Sequence, residues 1–207
     1  MNDIYNVIKN VEKIYNNKYT YFLDSKLQKL VKSKLGKIKY HIYYPYPESE
    51  KVIYYTNSLP QVLLYEIKTK ESLNHRDVLG TLFSLGIDPS MYGDIIIMDN
   101  RYYIYVLDII ENYLLSHLFM IKNCKVALEK KEEGFLNDYQ RQYEQMELIV
   151  SSERLDSVVA NIIHMRRTDI AIKIHDGDIL INYDTVKSSY KLKNNDIISI
   201  RKYGKFR

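Results

Sequence analysis

Residues 154–182 read RLDSVVANIIHMRRTDIAIKIHDGDILIN, and this stretch sets the fold of the last part of the chain. Leu155, Val158, Val159, Ile162 and Ile163 recur at the spacing of one apolar helical stripe. Ser151 and Ser152 stand before it with hydroxyls that can cap free N–H groups. After a turn at 164–167, Thr168 is the candidate cap of a second helix, and Asp169 favours its positive end. Ile170, Ala171 and Ile174 can face the first helix. Gly177 suits the left-handed residue that closes a helix, and Ile179 and Ile181 alternate as in a half-buried strand. The reading is a helix-turn-helix pair packed on a short sheet.

The outward side of the second helix keeps Arg166, Arg167, Thr168 and Lys173. Cations at a helix N-terminus make an anion site. From residue 154 onward there are 11 Lys+Arg and 6 Asp+Glu, which leaves 19 and 20 of the chain's 30 and 26 for the first 153 residues. The whole net charge of +4 is therefore concentrated at this end. Such segregation is the footprint of a polyanion-binding module and carries no sequence specificity by itself. Lys187, Arg201 and Lys205 extend the same positive character.

The 207 residues carry 46% hydrophobic and 27% charged side chains, a globular balance with room for up to three small domains. The lone Cys124 excludes a disulfide within the chain and fits a small buried apolar residue in a reducing compartment. No apolar run approaches the roughly 20 residues of a membrane span, and the first residues lack a signal-peptide core. A cytoplasmic protein is the expectation. The 21 tyrosines, in a chain rich in Ile, Asn and Lys, fit compositional drift, so none is read as a base-stacking platform.

Upstream, residues 2–16 read as an amphipathic helix with Ile4, Val7, Ile8, Val11 and Ile14 on one side. Asp24 can cap a second helix reaching Leu35, and 39–44 and 52–55 look extended. From Gln61 the order becomes strand 62–67, helix 74–86, strand 94–98, an Asp99-Asn100 hairpin turn, strand 102–106, helix 108–120 and strand 125–128. That β-α-β-β-α-β order is the split-βαβ, ferredoxin-like (RRM-like) arrangement. Residues 130–142 read as a charged and polar linker or surface helix, 147–150 as a strand, and 196–201 as a closing strand before a basic tail.

His75-Arg76-Asp77 matches the start of a protein-kinase catalytic loop, but Leu82 stands where the metal-holding asparagine belongs, which excludes a kinase. The five histidines show no metal-ligand spacing, and neither a phosphate loop nor a nucleophile elbow is present. Arg154-Leu155-Asp156 resembles the catalytic aspartate segment of pseudouridine synthases, yet here it opens a helix, where Asp156 reads as a first-turn acid.

Two family resemblances follow. Arg154-Leu155-Asp156, Arg166-Arg167-Thr168, Gly177, Ile179-Leu180-Ile181-Asn182 and Asp196-Ile197-Ile198-Ser199-Ile200 resemble the RNA-binding domain named for small-subunit ribosomal protein S-four. In that family the helical pair lies against RNA phosphates, which implicates Arg154, Arg166, Arg167, Thr168, Lys173 and Asn182. Arg166 replaces the family's serine, and Tyr183 replaces a glycine. Nearly the whole chain is similar to the YlmH family through 73-LNHRDVLG-80, Leu85-Gly86-Ile87, Gly93-Asp94-Ile95, Phe22-Leu23-Asp24 and Gly204-Lys205-Phe206. The family's glycine-bearing loop is YPYPESEK at 44–51 here, without glycines. This resemblance implies a non-enzymatic protein without cofactor or small-molecule substrate. It would bind rRNA of the large ribosomal subunit and tRNA, with links to ribosome quality control and cell division. His75, Arg76 and Asp77 are the expected second contact surface.

The expected architecture is α+β: an N-terminal helical segment (1–60), a central ferredoxin-like domain (61–145), and a C-terminal RNA-binding domain (146–207). The rival functions are an RNA-modifying enzyme and a protein-interaction adaptor linked to division.

Overall fold

The computed structural model describes residues 2–16, 18–141 and 143–207, and the side chains of residues 2–4, including Ile4, lie outside the description. It is an α+β protein whose contacts divide it into two compact units, residues 1–141 and 142–207. The expected boundary near residue 60 is absent, because the first sixty residues share a core with the central sheet.

In the first unit, α1 (Asn2–Tyr15) and α2 (Ser25–Leu35) pack on a hairpin of β1 (His41–Tyr43) and β2 (Ile53–Tyr55). The Asp24 carboxylate accepts from the Leu27 N–H at 2.8 Å and caps α2. Val7, Ile14, Leu23, Val31 and Leu35 form the core there.

β3 (Val62–Lys68) leads to α3 (His75–Ser84), then to the hairpin of β4 (Tyr92–Met98) and β5 (Arg101–Leu107). Asp99 and Asn100 turn that hairpin with φ of 50° and 58°, which are the dihedrals a type I′ turn needs. A 3-10 turn opens α4 (Glu111–His117), so the expected helix to residue 120 stops early. The chain then makes a small hairpin, β6 (Met120–Ile121) with β7 (Cys124–Lys125), before β8 (Ala127–Lys131). The sheet is antiparallel, in the order β4-β5-β3-β8.

The closing strand thus sits a few residues later than its apolar residues suggest, and Lys130 and Lys131 are strand rather than linker. β8 is an edge strand, where charge is tolerated. Lys131 reaches the buried Glu66 at 2.8 Å, and Lys68 reaches it at 2.9 Å. Burial raises the Glu66 pKa, but these two partners outweigh it and hold the carboxyl below its usual range.

Alternation along β3 and β5 gives the sheet two apolar faces. Leu63, Tyr65, Tyr102, Ile104 and Val106 meet Val78, Leu82 and Leu114 of the two helices. On the other face, Leu64, Tyr103, Tyr105 and Leu107 are covered by Phe22, Tyr46, Ile53 and Leu136. Tyr103 and Tyr105 are buried, so this face offers no aromatic platform.

The second unit packs α5 (Leu155–Ile163) and α6 (Arg167–His175) on β9 (Ile179–Ile181), β10 (Ile198–Ile200) and β11 (Gly204–Phe206), in the antiparallel order β11-β10-β9. Leu155, Val159, Ile163, Ile170, Ile174, Ile179, Ile181, Ile198 and Ile200 are its core. Gly177 has φ +77° after α6, the left-handed conformation that favours glycine. Residues 147–150 form no strand, and Ile149 is fully exposed. The basic tail, in contrast, supplies β11.

Candidate nucleic-acid interface

The N-terminus of α5 is not capped by Ser151 or Ser152. The Leu155 and Asp156 N–H groups donate instead to the Tyr190 and Ser188 carbonyls, at 2.8 and 3.2 Å. The loop at 188–191 takes the place of a side-chain cap and leaves Arg154 at the N-cap position. Thr168 does not cap α6 either. The helix begins at Arg167, with Arg166 at its N-cap, so Thr168 is an exposed residue of the first turn.

These starts converge on Asp156. Arg154 binds its carboxylate side-on, with Nε to Oδ1 at 3.1 Å and Nη2 to Oδ2 at 2.8 Å. Arg167 Nη2 reaches Oδ1 at 3.0 Å. The Asp156 side chain is only 9% exposed, whereas Arg154 and Arg167 are 40% and 50% exposed. Hydrogen bonds from Arg154, and then from Arg167, hold the Asp156 carboxyl below its usual range against the opposing cost of burial. One buried carboxylate therefore fixes two guanidiniums whose outer donors remain open to solvent, beside the exposed Arg166. Five donors on each planar guanidinium leave capacity for phosphate oxygens.

A second carboxylate repeats the device past the C-terminal end of α6. Asp178 holds Arg201 at 3.1 Å and Lys173 at 3.7 Å. Of the expected RNA contacts, Arg154 and Arg167 thus share one acid, and Lys173 and Arg201 share another. Lys187 is exposed on a shallow groove with Ile174, His175, Val186 and Tyr190. Lys205 lies 5.3 Å from the centre of the Tyr183 ring.

Asn182 has a different role from the expected one. Its amide donates to Asp196 Oδ1 at 2.8 Å and accepts from the Ile197 N–H at 3.0 Å. It is a latch between the two strand ends. Asn182 and Tyr183 have φ of 50° and 68°, so a tyrosine holds a left-handed position that favours glycine.

The His75-Arg76-Asp77 motif also divides. Asn74 caps α3 through the Asp77 N–H at 3.1 Å, and Asp77 returns a bond to the Asn74 N–H at 2.9 Å, a complete capping box. Asp77 also holds Lys122 at 2.7 Å. It is structural, while Arg76 is exposed, and burial pushes the His75 imidazole below its usual range, with Asp94, Glu50, Lys51 and Arg141 as the charges acting on it.

Sequence reasoning missed the cluster around Asp94. A bulge in β4 between Tyr92 and Ile95 accompanies its placement. Its carboxylate accepts from the Tyr46 hydroxyl and the Glu50 N–H, both at 2.7 Å, and from the Lys51 N–H at 3.3 Å. Arg141 bonds Tyr46 at 3.1 Å and pairs with Glu50, and its backbone N–H donates to Glu48 at 2.7 Å. Burial pushes Lys51 down to about 8, and its ammonium donates to the Pro89 and Tyr92 carbonyls. The glycine-free loop 44–51 is thereby fastened to the sheet. Only the Gly93-Asp94 pair hinted at this, because the partners lie far away in sequence.

Residues 60–134 match the family model described as the putative RNA-binding domain in YlmH. The chain is also 28% identical over 135 residues to ribosome-associated protein quality control protein P2 of Bacillus subtilis (strain 168), an overlap of 65% of this chain and 52% of that protein. It thus spans about half the length of this curated relative. The solved structure of the cell division protein ylmH from Streptococcus pneumoniae aligns with a TM-score of 0.51 at 18% identity, over 63% of this chain and 89% of that one. That likeness is one of fold. Among the described residues no helix is long and apolar enough to cross a membrane.

Proposed function

We propose that this is a non-enzymatic, cytoplasmic RNA-binding protein that docks on structured RNA of the ribosome, namely rRNA of the large subunit and tRNA, in ribosome-associated quality control. The observation that carries the reading is the Asp156 cluster, where two arginines are held side by side with open donors and a third adjoins them. Preorganised guanidiniums recognise phosphates at low entropic cost. Three things support it: the matched domain at 60–134, the ribosome association in the name of the Bacillus subtilis relative, and the charge gathered in the last quarter of the chain. The strand order β4-β5-β3-β8 is the one a split-βαβ domain requires, and α5, α6 and β9–β11 have the makeup expected of an S-four-like module. Asp156 is engaged by two guanidiniums, which favours a binding role over an RNA-modifying one.

Arg166→Glu alone, and Arg166→Glu with Arg167→Glu, test this by co-sedimentation with purified bacterial ribosomes. The single variant leaves Asp156 and its partners intact, so it keeps the fold. We expect the single change to weaken binding and the double change to abolish it, with a steep loss of wild-type binding as salt rises. Full binding of the folded double variant at moderate salt would remove the proposal.

A further inference from the structure

The 19 basic and 20 acidic side chains of the first 153 residues are unevenly spread. Residues 25–47 hold six lysines and no Asp or Glu, so the other 130 of those residues hold 13 basic against 20 acidic side chains. A balance near zero thus hides a basic segment that runs through α2, the turn at Gly36 and β1. It lies outside the matched residues 60–134 and outside the second unit.

Packing sorts the side chains of this segment. Leu27, Val31 and Leu35 of α2, and Ile38, Tyr40 and Ile42 after it, lie against the N-terminal core. All six lysines are exposed. Lys26 and Lys29 are engaged with other groups. Lys32, Lys34, Lys37 and Lys39 have no ion-pair or hydrogen-bond partner among the described residues. Lys32 and Lys34 stand in the last turn of α2, where the helix dipole favours a cation. Lys37 and Lys39 lie past the helix, with the inward Ile38 between them, and neither the dipole nor a carboxylate accounts for them. His41 follows Lys39 beyond the inward Tyr40, exposed, with its ring 5.3 Å from that of Tyr55.

Charge and packing select the occupant. Docking on an anionic lipid surface needs an apolar helix side to insert. The apolar side of α2 is taken up by the core, with Leu30 the exposed exception. Every basic position from 25 to 47 is lysine rather than arginine. Lysine is a flexible point charge without the fork that fixes one phosphate geometry. Four such charges without acids among them suit a phosphate backbone gripped without regard to sequence, and the exposed His41 ring beside them suits a ribose or a base.

We propose that the end of α2 and the chain leading into β1 lie along the phosphate backbone of a folded RNA, with Lys32, Lys34, Lys37 and Lys39 each facing a phosphate. This rests on the RNA-binding reading above and adds to it a sequence-independent contact in the first unit.

The test uses the full chain and two labelled RNA hairpins of unrelated sequence, each of about 16 base pairs, titrated with salt. Lys37→Gln with Lys39→Gln should lower the slope of log affinity against log salt by about 1.5, and changing all four lysines should lower it by about 3. At about 0.1 M salt the quadruple variant should bind at least tenfold more weakly, alike for both hairpins. Glutamine matches lysine in helix propensity and these side chains hold no partner, so the melting temperature should not move. Lys70→Gln with Lys125→Gln removes the same charge from exposed positions elsewhere in the first unit and should leave the slope nearly unchanged. Equal slope losses in the two double variants would mean that net charge alone acts, and would overturn the proposal. An unchanged slope in the quadruple variant, or no wild-type binding to the hairpins, overturns it too. So does wild-type binding to phosphatidylglycerol vesicles that the quadruple variant loses while its RNA slope stays the same, since the patch then faces a membrane. The Arg166 and Arg167 experiment stands apart, because its failure removes the docking of the second unit and leaves the lysine slopes to be read on their own.

Discussion

Asp94 in the first unit and Asp156 in the second are both carboxylates inside a ring of donors. Around Asp94 the donors are the Tyr46 hydroxyl and the Glu50 and Lys51 N–H groups, with Arg141 tied in turn to Tyr46 and Glu50. Every partner there belongs to the loop 44–51 or to the segment that follows the sheet, and the network holds those two pieces of chain in place. Around Asp156 the donors are Arg154 and Arg167, each of which keeps much of its guanidinium in water. The same pairing closes a fold in one unit and displays charge in the other. The difference lies in what the partner has left to give. A hydroxyl or backbone N–H is used up by one bond, while a guanidinium with five donors is not.

The widest separation between the clusters should come from Asp94→Ala. It strands a buried tyrosine hydroxyl and two N–H groups and removes a nearby charge from Arg141. A stability loss of about 3 kcal/mol is expected for the first unit, read as an earlier transition in urea unfolding. RNA affinity per folded molecule should not change. A loss of RNA affinity in a fully folded Asp94→Ala chain would erase the contrast between the clusters.

Asp156→Asn should do the reverse in kind. The stability loss is expected at about 1–3 kcal/mol, since the partners are half-exposed and can rehydrate. Removing a negative charge should preserve or raise affinity for heparin, an unstructured polyanion, while affinity for ribosomes falls because the arginines are no longer held in place. A purely structural Asp156 would lower both together. The folded pKa of Asp156 lies below its unfolded one, so its contribution is present above about pH 4 and is lost as pH falls through the depressed value. The stability gap between wild type and Asp156→Asn should accordingly close on acidification below pH 4.

Much of the scaffold was legible because it rests on local chemistry. The stripe of α5, the Asp24 cap of α2, the Asp99-Asn100 turn and the left-handed Gly177 each follow from residues a few positions apart. β8 was misplaced because its residues, ALEKK, are strand only by pairing with β3 and by the reach of Lys131 to Glu66. β11 was hidden in a basic tail for the same reason. Arginines 166 and 167 could be read as exposed, but their division into one free and one clamped depends on Asp156, which looked like an ordinary first-turn acid. Asn182 was assigned to RNA by resemblance, whereas its amide is engaged on both sides by the closing strand. Asn182→Ala should therefore cost about 1 kcal/mol and leave ribosome affinity unchanged.

The smallest effect expected is the one that best probes the open side of the Asp156 cluster. A threonine that capped α6 would cost about 1 kcal/mol on removal. Thr168 makes no cap, because α6 already starts at Arg167 and Arg166 holds the cap position. Thr168→Ala should then stay within about 0.5 kcal/mol of wild type in urea unfolding, since the position is exposed and alanine is the better helix former. A loss near the capping value would mean that the fold uses this side of the helix after all. It would make the Asp156 cluster more like the Asp94 one, with its outward side chains bound into structure rather than left for a phosphate.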